Sequence, residues 1–102
     1  MQEIIEGVEK LANEELERAN VKFKMFHSTH EGYAILKEEI EEVEFEMDRV
    51  KKAEERMWRH IKLNKLIPND IDILKRVATN AAAESIQVIA MCNKFIESEV
   101  LK

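Results

Sequence analysis

Helix breakers are almost absent from this chain, and where they stand divides it. Its 102 residues contain one proline, Pro68, and two glycines, Gly7 and Gly32. Proline removes a backbone donor and clashes with the turn before it, so a helix stops or kinks there. Ahead of Pro68, nothing forces a stop between residues 28 and 64. Abundant Glu, Lys, Ala, Ile and Met favour helix over sheet. The chain therefore reads as all-α, a bundle of three long helices forming a single domain over residues 1–102.

Segment one spans residues 3 to 25, with Ile5, Val8, Ala12, Leu16, Ala19, Phe23 and Phe26 at helical spacing. Ser28 and Glu31 have capping-box spacing, which starts segment two at Ser28. Tyr33, Leu36, Ile40, Val43, Met47, Val50, Met57 and Ile61 then form an a/d-like stripe. Running to Asn64, this helix would be roughly 50 Å long at 1.5 Å per residue. A break at residues 49 to 56 is the alternative to one continuous helix. Beyond Pro68, Asn69 or Asp70 is the expected N-cap of segment three, which should reach Glu97 to Leu101. There Leu74, Val77, Ala81, Glu84, Val88, Met91 and Phe95 share one stripe. Helices this long leave apolar stripes that one chain cannot cover, so a homo-oligomer is expected.

Several classes are disfavoured. No apolar run approaches a membrane span, and the N-terminus lacks a signal-peptide core. The single cysteine, Cys92, cannot form an internal disulfide. The expectation is a cytoplasmic protein without membrane partners. A net charge of -5 argues against direct nucleic-acid binding. Glycine-rich phosphate loops, nucleophile elbows and CxxC zinc patterns are missing.

What needs explaining is a carboxylate. Within "NAAAESIQVIAMCNKF", Glu84 falls within about 40° of Val77, Val88, Met91 and Phe95 on a helix turning 100° per residue. An unpaired buried carboxylate is costly, so it must be protonated, paired with a cation or bound to a metal. Gln87 lies one turn on, with a neutral oxygen on nearly the same face. On segment two, Glu39, Glu42 and Glu46 form a ridge flanking the stripe, with Glu38 and Glu31 just beyond. Glu41 and Glu44 are expected on the far, solvated side. If segments two and three pack antiparallel, the ridge can face Glu84. A hard divalent cation such as Mg²⁺ would resolve the resulting repulsion. The alternative is that Glu84 meets a basic residue, Lys94 or one from segment one.

Charge also divides segment two. Residues 38 to 48 are densely acidic, and residues 49 to 65 mostly basic. Ordinary i,i+4 pairs on a solvated helix account for this. The other reading is a metal-binding end followed by a phosphate-attracting end. Trp58 reads as a core or interface anchor rather than a base-stacking platform.

Two stretches, "HEGYAILKEEIEEVEFEM" and "AAAESIQVIAMCNKFIES", resemble the MazG-type members of the all-alpha nucleoside triphosphate pyrophosphohydrolases, in particular short phage-type ones. The first carries that family's EExxE pattern as Glu38, Glu39 and Glu42. In the second, Glu84 matches the acid of the ExxD motif, and Gln87 stands where Asp is usual. The resemblance implies Mg²⁺ held by Glu38, Glu39, Glu42 and Glu84, with Gln87 a weak ligand, in a homodimer or homotetramer. It implies cleavage of a nucleoside triphosphate to the monophosphate and pyrophosphate, with Glu38 as the residue that orients or deprotonates water. Arg49, Lys51 and Lys52 would attract the substrate phosphates. Gln87 and the long connection between the motifs depart from the family pattern. They mark either a specialised substrate or a scaffold that has lost catalysis.

Overall fold

The computed structural model describes residues 1–22 and 24–101. Phe23, expected in the first apolar stripe, lies outside them. Three helices account for the fold: α1 over Gln2–Lys22, α2 over Thr29–Lys62 and α3 over Pro68–Glu97. No strand occurs among the described residues.

α2 runs unbroken for 34 residues, so the break considered at residues 49 to 56 does not occur. Its start is capped as the spacing predicts: the Ser28 hydroxyl accepts from the Glu31 N–H at 3.1 Å. Glu31 reaches back to the His27 N–H, at 3.4 Å, rather than to that of Ser28. Asn64 ends the helix in the left-handed region, with φ 53°. Around it, Lys65 N–H donates to His60 C=O at 2.7 Å and Asn64 N–H to Ile61 C=O at 3.0 Å. This is the Schellman pattern, with asparagine replacing the usual glycine.

α3 starts two or three residues earlier than expected. Ile67 is the N-cap and Pro68 the first helical residue, where its missing N–H costs nothing. Asp70 stands at the third position and accepts from the Ile67 N–H at 3.2 Å. The short turn folds α3 back antiparallel to α2.

α3 is the central helix, with α1 and α2 both packed on it. Leu16, Phe26, Ala90 and Met91 form the buried cluster, joined by Ala19, Ile35, Leu36 and Phe95. α2 approaches α3 through small residues: Gly32 and Ala53 are its two buried positions. The predicted α2 stripe is divided: Leu36, Val43, Val50 and Met57 are partly buried, and Leu36 packs on the core cluster. Tyr33 is 64% exposed, and Ile40, Met47 and Ile61 are also exposed. Helical periodicity identified the apolar stripe, and close packing on α3 centred the interface nearer Gly32 and Ala53, which leaves one edge of that stripe outside. Trp58 is exposed too, with Lys62 Nζ 5.6 Å from its ring centroid, so it anchors no core within this chain. Among the described residues, no helix is long and apolar enough to cross a membrane.

Candidate functional site

Antiparallel packing brings the acidic ridge of α2 against α3. Glu39, Glu42 and Glu84 each offer a carboxylate oxygen, and the three atoms lie within 4.8 Å of one another. Glu39 and Glu42 sit one turn apart on α2, so both point into the same groove. Glu84 meets them from α3. It is half-buried at the groove mouth rather than enclosed in the core.

The charged neighbours that act on Glu84 are all carboxylates. Its carboxyl is held above the ordinary range first by a hydrogen bond with Glu42, then by burial, then by the charges of Glu42, Glu39 and Glu46. Glu39 is raised as well, chiefly by burial and then by Glu42 and Glu38.

The spacing suits a divalent ion. Oxygens on opposite sides of a Mg²⁺ ion at about 2.1 Å lie about 4.2 Å apart, and around Ca²⁺ at about 2.4 Å they lie about 4.8 Å apart. Small side-chain movements would close the trio on Mg²⁺. Three carboxylates leave coordination positions for waters or phosphate oxygens, as Mg²⁺ prefers.

Two clefts adjoin the trio. An acidic one of about 360 Å³ is lined by Glu38, Glu41, Glu42, Phe45, Glu46 and Glu84. Glu41, expected on the solvated side, thus borders it. A more apolar one of about 400 Å³ has Phe26, Ile35 and Met91 in its walls, with Glu38 and Glu39 at the shared edge. Glu38 is exposed and borders both clefts, outside the close trio.

Gln87 has a partner beyond the carboxylates: its Nε2 donates to Glu15 Oε2 of α1 at 2.9 Å, and it lines the apolar cleft together with Glu38 and Glu39. Docking of α1 on that side of α3 supplied the acceptor, which helical phase alone could not reveal. Glu15 also pairs with Arg18.

The candidate phosphate-attracting residues divide. Arg49 pairs with Glu46 at 3.4 Å and lies 5.9 Å from the Phe45 ring centroid. Lys52 pairs with Asp48 at 2.9 Å, which raises its ammonium pKa, the hydrogen bond being the larger cause. Both line a third, basic cleft, and exposed Lys51 does not. Arg56, Arg59 and Arg76, absent from the expected set, line it as well. The α2 members recur at helical spacing from residue 49 to 59, a legible signal, whereas Arg76 joins only through packing.

A buried polar cluster fixes the α2–α3 turn. Asp70, 1% exposed, accepts from His60 Nδ1 at 2.7 Å and Arg56 Nε at 3.1 Å, besides Ile67 N–H. These contacts hold its carboxyl below the ordinary range, the His60 hydrogen bond most of all, against the opposing effect of burial. No family model, curated protein or solved structure matches the chain, so the function of these clefts is argued from their chemistry.

Proposed function

We propose that this protein is a Mg²⁺-dependent nucleotide pyrophosphohydrolase of MazG type, converting an NTP or dNTP to the monophosphate and pyrophosphate. The role would be cytoplasmic housekeeping of the nucleotide pool, carried out by a homodimer or homotetramer. The observation that carries this reading is the convergence of Glu39, Glu42 and Glu84 from two helices, with only carboxylates as charged neighbours of Glu84. The two acidic motifs support it, because they supply these same residues.

In this reading Glu39, Glu42 and Glu84 hold the ion. Mg²⁺ bound there would neutralise phosphate charge and lower the pKa of a bound water. Glu38, on the rim of both clefts, is the candidate to orient or deprotonate the attacking water. Its attack forms a bond from the water oxygen to the α-phosphorus and breaks the bond to the bridging oxygen of pyrophosphate. The apolar cleft beside Glu39 would take the nucleoside. Gln87 gives its Nε2 to Glu15, which leaves its Oε1 as the weak ligand. Arg49 and Lys52 would attract the phosphate tail, and Lys51 would act only through the surrounding potential.

The test is pyrophosphate release from a panel of canonical and modified dNTPs with Mg²⁺. Turnover should occur in the wild type and collapse in Glu39→Gln and Glu84→Gln. No wild-type turnover, or equal turnover by the variants, refutes the catalytic reading.

A second reading, a non-catalytic helical oligomer on the same scaffold, draws on the uncovered edge of the α2 stripe. Tyr33, Leu36 and Ile40 line an outward-facing cleft there. That reading predicts a melting temperature indifferent to Mg²⁺ and nucleotides, whereas a ligand selective for the folded state must raise it.

A further inference from the structure

The groove between α2 and α3 reverses charge towards the turn. Arg49, Lys52, Arg56 and Arg59 from α2 and Arg76 from α3 line a cleft of about 330 Å³. No carboxylate is among the residues that line it, although Glu46, Asp48 and Asp70 pair with three of its cations. Ala53 and Val77 are buried beneath, giving an apolar floor under a cationic rim.

The rim cations are not equally engaged. Arg49 and Lys52 have helical partners in Glu46 and Asp48. Arg56 gives its Nε to Asp70, which leaves both terminal amino groups uncommitted. Because Asp70 is buried and also holds His60 and the Ile67 N–H, the Arg56 side chain is presented from a fixed anchor. Arg59 and Arg76 make no hydrogen bond or ion pair among the described residues. They belong to different helices, so packing places unpaired guanidinium groups around one cleft. Like charges so placed repel unless an anion lies between them. Guanidinium groups are suited to phosphate, whose oxygens accept paired N–H donors.

We propose that this cleft is a phosphate-binding site, with Arg59 and Arg76 contributing from the two helices and Arg56 presented by Asp70. It stands independently of metal-dependent catalysis, since it uses none of the carboxylate trio. The step from Glu42 to Arg49 on α2, or from Glu84 to Arg76 on α3, is about 10–12 Å at 1.5 Å per residue. Glu46 borders the acidic cleft and pairs with Arg49 of the basic one, so the two adjoin. The bound phosphate is therefore either the tail of a nucleotide extending from the carboxylates or a separate phosphate compound.

The experiment is calorimetric titration of the full chain with inorganic tripolyphosphate, in chelator and at low salt. Saturable binding is expected, weakened about tenfold or more in Arg59→Gln/Arg76→Gln, as for loss of charge-assisted hydrogen bonds. Lys10→Gln/Lys22→Gln, which removes the same charge from α1, should retain the affinity. Melting curves without ligand verify that both double variants fold. Absence of saturable binding, or equal weakening by the α1 variant, overturns the proposal, because general attraction then suffices. So does binding of a single-stranded oligonucleotide without any binding of tripolyphosphate, which would make the cleft a nucleic-acid surface. With the site established, KM for a dNTP in Mg²⁺ separates the sources. A rise in the arginine variant identifies the nucleotide tail, and an unchanged KM identifies a separate ligand. A catalytically silent wild type that still binds tripolyphosphate refutes the hydrolase reading and leaves this site standing.

Discussion

The two glycines should respond in opposite directions to the same substitution. Both lie within helices, where alanine is favoured over glycine by about 1 kcal/mol. A Cβ at Gly7 would meet nothing within 4 Å, so Gly7→Ala should realise most of that gain. At Gly32 a Cβ would lie 2.5 Å from Cε2 of Phe95 and 2.7 Å from its Cδ2 and Cζ. Carbon atoms ordinarily approach to about 3.5–4.0 Å, so the ring must withdraw by roughly 1 Å or the helices must separate. Phe95 is constrained, because its ring packs edge-on to buried Phe26 with centroids 5.8 Å apart. Overpacking of this kind costs about 1–3 kcal/mol, which cancels or exceeds the propensity gain. Relative to Gly7→Ala, Gly32→Ala should therefore be less stable by about 1–3 kcal/mol, measured by urea unfolding at fixed protein concentration. In a domain this size each kcal/mol corresponds to roughly 4–8 °C in melting temperature. Adding Phe95→Leu should recover stability in the Gly32→Ala background, giving a coupling in a double-mutant cycle. If Gly32→Ala stabilises as much as Gly7→Ala, the close helix approach inferred here is wrong. The contact also bears on function, because the α2–α3 approach sets the spacing of Glu39, Glu42 and Glu84.

Two further predictions concern pH and have opposite signs. Glu84 has a raised carboxyl pKa, so its contribution without metal is fully present below the ordinary value of 4.5 and is lost as pH rises through the higher folded value. Metal-free protein should lose that contribution as pH rises above 4.5, Glu84→Gln should flatten the loss, and Mg²⁺ should reverse it; parallel melting profiles for wild type and variant in chelator would contradict the raised Glu84 carboxyl. Asp70 has a lowered pKa, so its contribution is present above 3.8 and is lost as pH falls through the lower folded value. Asp70→Asn should lower the melting temperature at neutral pH and weaken the acid-dependent part of unfolding. A variant with wild-type stability at neutral pH would show that the buried cluster at the turn is dispensable.

The candidate site was legible to the extent that it depended on helical phase. Glu39 and Glu42 are three residues apart, and Glu84 shares a stripe with Val77 and Met91, so one antiparallel pairing sufficed to bring them together. The tie of Gln87 to Glu15 was not legible, because Glu15 belongs to a helix whose docking side no local pattern specifies. Asp70 was expected to cap its helix from outside. It acts from the third position instead, because Pro68 fits the first and lets the helix begin at once.

By itself, the sequence determined the number of helices, their phases and nearly all their ends. These are local matters of backbone donors, caps and side-chain spacing. Only the tertiary structure decided which side of each helix became an interface. α2 turned Gly32 and Ala53 towards α3 and left Tyr33 and Ile40 outside, since backbones approach most closely where side chains are smallest. That choice put one acidic and one basic cleft along the same groove. Charge patterning foreshadowed the two halves, but Glu84 and Arg76 joined them only when α3 folded back through the turn at Asn64.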